Sequence, residues 1–293
     1  MASDIKVSVC VVTYNQEKYI AECLQSLVDQ KTNFRFEIIV SDDCSSDRTQ
    51  SIISEFAKIY PDIIKPIYRA KNIGGGENYT LTHAMAVGQY IAHMDGDDYA
   101  LPGKLQNQND YLDNNPECNF VWHPMRQLMP NDKFKNTLEN KHLLYNKKFY
   151  KKDIIQFMAI GGNSSKMYRA KVRNIATPNF ELLDYFINVE QVNDGYAAFS
   201  TNKPLGVYRT EIGVSSSGIK TKLILIKCFK FLSEKYPNYR LQINTANLTC
   251  LLVDGKNFRF SAWPFLKSFI MTFHVLSIFN FIKSIKIIKL IKN

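Results

Sequence analysis

Two rhythms alternate along the first 125 residues. The run VSVCVVT at 7–13 is apolar, β-branched and of strand length. It is too continuous for a half-exposed strand, so it predicts one covered on both faces. Residues 17–29 then space Tyr19, Ile20, Cys23, Leu24, Leu27 and Val28 at helical intervals. The alternation recurs and predicts strands at 36–40, 63–68, 90–94 and 120–122, with helices at 47–59, 78–87 and 103–112. Strands alternating with helices of this size imply βαβ units, a mostly parallel sheet and an α/β fold. In such sheets ligands bind beyond the carboxyl ends of the strands. Polar clusters stand at those ends: Thr13-Tyr14-Asn15, Ser41-Asp42-Asp43 and Asp95-Gly96-Asp97-Asp98. Three separate loops would therefore converge on one edge.

Between residues 125 and 152 the pattern dissolves into a polar, Lys/Asn-rich connector. Order returns at 154–158; 161–168 reads as a loop entering a strand, 180–192 as a helix and 205–209 as a short strand. Beyond Gly218 the chain becomes Lys-rich and apolar without Gly-punctuated strands, which sets a boundary at 216–219. The expected organisation is a domain at 1–217, divided into halves at 1–125 and 126–217, followed by a helical, basic region at 218–293.

Within that region, 263–282 is apolar but interrupted by Lys267, His274 and Asn280. A membrane-crossing helix needs about 20 cleaner residues. Lysines then follow at 283, 286, 289 and 292. A spacing of three drifts by about 60° per step on a helix, so it gives no tidy polar face. The segment predicts interfacial contact with an anionic membrane surface, lysine stems snorkelling toward headgroups. The plainer alternative is a helix that packs on the domain and frays into a basic end.

Composition changes this picture in one respect. Lys and Arg number 37 against 27 Asp and Glu, a net charge of +10 that asks for an anionic partner. Because the lysines gather toward the tail instead of interleaving with aromatics, nucleic acid is excluded as the expected partner. At 45% hydrophobic and 13% aromatic residues, the chain is a packed one, not a disordered one. Six cysteines show no ligand-like spacing and read as free thiols in a reducing cytosol. The first ten residues lack the basic-then-apolar signature of a signal peptide, so a cytoplasmic location is expected. The sequons at Asn78, Asn163 and Asn247 are then chance.

The densest chemistry lies in Asp95, Asp97 and Asp98. Side chains alternate along a strand, so Asp95 and Asp97 leave its end on the same side. Two carboxylates projecting into one cleft make a hard-cation site short of ligands, which Mg²⁺ or Mn²⁺ bridging a diphosphate would complete. Asp98 supports the turn. Asp42-Asp43 can accept hydrogen bonds from a base or ribose, while Ser46 or Asp47 caps the following helix. Asn15 is a candidate N-cap, and Thr13 faces the crevice. Arg69 and Lys71 precede Gly74-Gly75-Gly76, either a backbone cradle for a diphosphate or a flexible turn into the next helix. His93 and His123 lie on apolar strands and read as packed, satisfied side chains.

Four stretches in this order, VSVCVVTYNQEKYIAECLQSLVDQ, EIIVSDDCSSDRT, KNIGGGENYT and YIAHMDGDDYALPGKLQ, resemble the donor-binding half of family 2 inverting glycosyltransferases, which have the GT-A fold. The resemblance is dense over 5–125 and thinner to about 217. It implies a nucleotide-sugar donor, a UDP-sugar first of all, and transfer of one sugar to a glycan or lipid-linked acceptor in bacterial surface-polysaccharide biosynthesis. It places Thr13, Tyr14, Asn15 and Asp42 at the nucleoside, with Asp43 on the base. Asn72 and Asn78 line the donor pocket, Asp95 lies near ribose and metal, and Asp97 is the main ligand of a divalent cation. The expected base is Asp184, with Glu181 and Glu190 as lesser candidates; Leu183 stands where an acid more commonly precedes it. Arg209 and Ser215-Ser216-Ser217 resemble a segment that closes over the diphosphate. No QxxRW-like sequence is present, which argues against a processive synthase. A non-catalytic donor-binding homologue and a nucleotidyltransferase of similar fold are the alternatives. The cytoplasmic protein would sit on the inner face of the cell membrane.

Overall fold

The computed structural model describes residues 4–131, 133–135, 144–175, 178–210, 218–257, 259 and 262–292. Ser215-Ser216-Ser217 lies outside the described residues, as do part of the 125–152 connector and part of the expected 216–219 boundary. Two compact units form. One comprises 1–148, 161–175 and 195–213; the other comprises 149–160, 176–194 and 214–293. Among the described residues every strand belongs to the first, and the second is helical. The single cut expected near 217 is thus replaced by interleaved segments, because the helices at 151–157 and 184–192 bury their apolar sides among the later helices.

In the first unit the elements run β1 (Val7–Thr13), α1 (Ile20–Val28), β2 (Phe36–Asp42), α2 (Thr49–Ile59), β3 (Ile64–Tyr68), α3 (Gly75–Ala84), β4 (Tyr90–Asp95), β5 (Tyr99–Ala100) and α4 (Lys104–Asn114). The strands β6 (Cys118–Trp122), β7 (Met125–Leu128) and β8 (Phe134–Lys135) follow. The described residues form a seven-stranded sheet in the order β10-β6-β9-β4-β1-β2-β3, where β9 is Met167–Arg169 and β10 is Tyr196–Phe199. β1 pairs in parallel with β2 and β4, and β2 with β3, while β9 runs antiparallel between β4 and β6. A smaller sheet orders β5-β11-β7-β8, with β11 at Gly206–Arg209.

The continuous apolar run of β1 is buried on both sides, as its pattern requires: Val7, Val9, Cys10 and Val11 are all fully enclosed. Each such valine contributes about 1.5–3 kcal/mol over an exposed one. The apolar stripe of α1, Ile20, Cys23, Leu24 and Leu27, covers one face. Register then fixes the edge that matters. Thr13 pairs with Asp42 and Val12 with Asp95, so the polar ends of β1, β2 and β4 stand level.

The second unit contains α5 (Lys151–Phe157), α6 (Asp184–Val192), α7 (Ile219–Lys235), α8 (Arg240–Lys256), α9 (Ala262–Met271) and α10 (Ser277–Lys292). Tyr185 on α6 donates to the Ile155 carbonyl of α5 at 3.1 Å and meets Phe229 of α7 edge-on. Phe186 packs edge-on against Phe180 and Phe231. Among the described residues no helix is long and apolar enough to cross a membrane.

Candidate active site

The acidic turn leaves β4 at Asp95 and is pinned to β1 by the Gly96 N–H donating to Val12 O at 2.9 Å. Glycine is required at 96 because a Cβ there would stand 2.8 Å from the Thr13 Cβ and closer still to Gln16 Oε1. Thr13 donates to that same Gln16 oxygen at 2.7 Å, so the β1 loop and the acidic turn interlock.

The three acids separate by environment. Asp95 Oδ1 meets His93 Nε2 at 3.1 Å, and its Oδ2 accepts from the Ser164 hydroxyl at 3.1 Å. Burial alone would raise its carboxyl, but the His93 imidazole and these hydrogen bonds hold it below the usual value. Asp97 is 6% exposed, and burial followed by the Asp95 charge pushes its carboxyl up to about 6. Asp98 is fully buried, and desolvation with the charges of Asp95 and Asp97 drives it well above the carboxylate range. It supports the turn as expected: Oδ1 accepts from the Arg209 N–H at 3.0 Å, while Oδ2 makes no hydrogen bond of good geometry.

Beneath the acids lies Lys104, wholly buried and donating to Ser164 O at 2.5 Å. Burial lowers its ammonium to about 8 against the pull of Cys23, Asp98 and Asp95. A line of side chains runs back from Asp95: His83 Nε2 lies 2.9 Å from His93 Nδ1, and His83 Nδ1 lies 2.7 Å from the Tyr168 hydroxyl. Burial and the neighbouring His93 keep His83 well below the imidazole range. Tyr168, His83, His93 and Asp95 thus form one continuous hydrogen-bonded line. Sequence reasoning placed His93 as a packed histidine but missed this line, together with Lys104, Ser164, Gln16 and Glu22. His83 sits ten residues before His93, and no local spacing joins either to Tyr168.

Several expected ligand contacts are instead spent on the fold. Asp42 is fully buried and accepts from Ser45 N at 2.9 Å, from Gln50 Nε2 at 2.7 Å and from the Ser45 hydroxyl. Asp43 clamps the glycine loop: its oxygens accept from the N–H groups of Ile73 and Gly74, each at 2.9 Å. Gly74 has φ 88°, a conformation glycine tolerates. Two amides of the suggested phosphate cradle are therefore given to Asp43, whose oxygens each keep further acceptor capacity.

Asn78 is buried and hydrogen-bonded within the fold. Its Oδ1 accepts from Ser41 Oγ at 2.6 Å and Arg69 Nε at 3.1 Å, and its amide donates to Ser41 O. Asn72 and Tyr14 are exposed. Asn15 does not cap α1, which starts five residues later. With φ 51° it accepts from Ser46 N at 2.9 Å and ties the first loop to the second. Asp47 accepts from Thr49 N at the start of α2 and from Glu17 N, each at 3.0 Å. His123 is only half satisfied, with Nδ1 on Pro124 O at 2.8 Å and a buried Nε2 lacking a partner.

Arg209 does not reach outward. Its guanidinium lies 5.0 Å from the rings of both Tyr19 and Tyr99, bonds the Asp97 carbonyl and pairs with Glu22. A planar fork stacked on two rings is something lysine does not reproduce. Arg209→Lys is expected to cost about 2–3 kcal/mol, the worth of a hydrogen-bonded charged group in this setting. Urea unfolding checks it, and an unchanged midpoint would show that the stack carries no weight.

Asp184 belongs to the helical unit, where it is exposed and opens α6. Glu181 pairs with Lys220 at 2.8 Å; Glu190 accepts from Lys235 at 2.6 Å and Tyr236 at 2.9 Å. Both glutamates are thus already paired with a lysine, Glu181 through one oxygen only.

Among the described residues no cluster of three or more His, Cys, Asp or Glu is arranged to hold a metal. The donor set nonetheless suits a cation that brings its own ligands. Asp95 and Asp97 offer hard oxygens, Asp97 gains from a compensating charge, and a diphosphate with water would complete the shell.

A family model described as glycosyl transferase family 2 matches residues 8–172. An uncharacterized protein of Mycobacterium bovis is 43% identical over 121 residues, covering 41% of this chain and 35% of that protein. The chain thus spans about a third of that relative's length. The putative teichuronic acid biosynthesis glycosyltransferase TuaG of Bacillus subtilis is 28% identical over 207 residues, 69% of this chain and 78% of TuaG. Among solved structures, S. aureus TarS in complex with UDP-GlcNAc superposes with a TM-score of 0.64 at 20% identity, over 83% of this chain and 71% of that one. A Pyrobaculum calidifontis mannosyltransferase in complex with GDP-Man and Mn²⁺ gives 0.59 at 16% identity, over 96% and 80% of the two chains. At these identities the likeness is one of fold, and it agrees with the GT-A architecture expected from the motifs.

Proposed function

Since the chain belongs to glycosyl transferase family 2, we propose that it transfers one sugar from a nucleotide-sugar, UDP-linked by preference, to a hydroxyl of a glycan or lipid-linked acceptor. The observation that carries this reading is the level placement of Thr13, Asp42 and Asp95 at the carboxyl edge, with Asp97 just beyond. The TarS complex with UDP-GlcNAc and the putative role of TuaG in teichuronic acid biosynthesis support the donor and pathway class.

The transfer inverts the anomeric centre. The acceptor oxygen forms a bond to the anomeric carbon as its proton passes to Asp184, and the nucleoside diphosphate leaves with the electron pair of the broken C–O bond. Asp97 and Asp95 would hold a divalent cation, Mn²⁺ or Mg²⁺, whose Lewis acidity offsets charge on the departing diphosphate. Thr13 and Gln16 set the height of the acidic turn. Asp43, by holding the 73–74 amides, fixes the loop beside the donor. Glu22 and Arg209 brace the turn from behind.

Incubation with a panel of nucleotide sugars, with Mn²⁺ or with EDTA, tests this. Slow nucleoside diphosphate release from one donor, requiring Mn²⁺, is the expected result. Absence of binding to every donor by calorimetry would sink the enzyme reading.

A further inference from the structure

The helices α9 and α10 are built inside out. On α10 two of the three buried positions among the described residues are polar, Ser277 and Ser284, and only Ile291 near the far end is apolar. Ser284 accepts from Gln156 Nε2 at 2.6 Å, and Asn280 donates to Gln156 Oε1 at 2.8 Å and Thr245 Oγ1 at 3.0 Å. On α9 the inward residues are Phe265 and Ser268, and the Ser268 carbonyl and the following Thr272 join Asn244 and Asn247 of α8 in a second buried hydrogen-bond network. The outward positions are apolar instead. Trp263, Ile270, Phe273, Val275, Phe279 and Ile282 are each more than half exposed. A helix that packs on a domain in water does the reverse, facing its apolar stripe to the core. Helices whose outer face meets lipid hold together through small and polar residues.

Charge chooses the occupant. Lys267 lies in the α9 stripe, and Lys283, Lys286 and Lys289 continue the outward face of α10 beyond Ile282. The Lys283 ammonium stands 4.3 Å from the centre of the Phe279 ring. Apolar side chains followed by lysines on one face suit a layer of hydrocarbon beneath anionic headgroups. At 16 residues α10 is too short to span that layer.

We propose that this outward face of α9 and α10 docks on an anionic lipid bilayer, lying in its interface without crossing. This does not depend on the sugar-transfer reading and is tested apart from it. The structure also corrects the expectation drawn from lysine spacing: the amphipathic face exists, but its polar half is turned inward.

The chain carries its own reporter, because its two tryptophans are Trp122, 1% exposed, and Trp263, 73% exposed. The full-length protein is mixed with vesicles of equal phosphatidylglycerol and phosphatidylcholine, with brominated acyl chains, in dilute salt. Trp263 emission should shift to the blue and be quenched, and a Trp263→Phe variant should lose that response. Replacing Lys283, Lys286 and Lys289 by Gln should lower partitioning roughly 100-fold, at about a factor of five for each lysine. Phe279→Ser with Ile282→Ser should abolish quenching; both sites are exposed, and an unchanged melting temperature verifies the fold. Wild-type protein left unquenched by these vesicles overturns the proposal. So does light scattering that shows a dimer dissociated by the Phe279/Ile282 change, which would make a second copy the occupant.

Discussion

Asp97→Asn is expected to reduce Mn²⁺-dependent donor binding and turnover by roughly 100-fold or more, the several kcal/mol that a metal site supplies. The same change is expected to raise the melting temperature of the metal-free protein. The two effects have one cause. Asp97 is buried beside Asp95 and Asp98, and its carboxyl is lifted from 3.8 to about 6 by burial first and by the Asp95 charge second. A carboxyl raised on folding costs stability once it ionises. The cost is absent below the unfolded value near 3.8, grows as pH rises and is complete above about 6. Asparagine keeps the shape and removes the charge. In EDTA the variant should therefore melt higher than wild type at about pH 7.5, and the two should converge near pH 4. Differential scanning calorimetry at both values checks it. A variant that melts lower at the higher pH would mean that Asp97 holds the turn together instead of standing ready for a ligand.

Asp98 shares the sign of this linkage, since burial and the charges of Asp95 and Asp97 drive its carboxyl well above the usual range, but its Oδ1 also serves the Arg209 N–H. Three acids close in sequence thus have three fates: Asp95 oriented by His93 and Ser164, Asp97 left without a countercharge and lifted to about 6, and Asp98 absorbed into the fold.

β1 was readable to the residue because an unbroken β-branched run has one meaning in a sheet covered on both faces. The edge was readable for the same reason, since strand ends follow from strand runs. Helix starts were harder. α1 was expected from 17 and begins at Ile20, because Asn15 and Glu17 are drawn into bonds with the 45–47 loop. α3 was expected from 78 and begins at Gly75, where glycine's poor helix propensity hides the first turn. β9 is three residues long, and its place between β4 and β6 comes from distant pairing alone. The supporting residues of the candidate site fail to show for a related reason. Lys104 and Glu22 look like ordinary helix-surface charges, and only tertiary packing brings one under the acids and the other onto Arg209. Asp43 and Asn78 show the converse, side chains of the right type and spacing that spend their hydrogen bonds on backbone and neighbours.

Asp184→Asn should abolish transfer while leaving donor binding intact, a loss of roughly 10²- to 10⁴-fold in turnover if the carboxylate acts as general base. The residue opens α6, where a negative charge interacts favourably with the helix N-terminus. The loss of that helix-end interaction costs about 0.3–1 kcal/mol of stability. That unit is held by Tyr185, Phe186 and their aromatic partners, none of which the substitution touches. The proposed donor site lies on the strand-bearing unit, so the dissociation constant for the nucleotide-sugar is expected to match that of wild type. Turnover alone should fall. Asp184→Glu separates a chemical role from a structural one: it restores the charge at the helix start but carries the carboxylate one methylene further. Stability should return fully and turnover only in part, because a base must stand within about 2.6–3.2 Å of the proton it takes. If the Asp184→Asn protein keeps wild-type turnover, Asp184 is not the base.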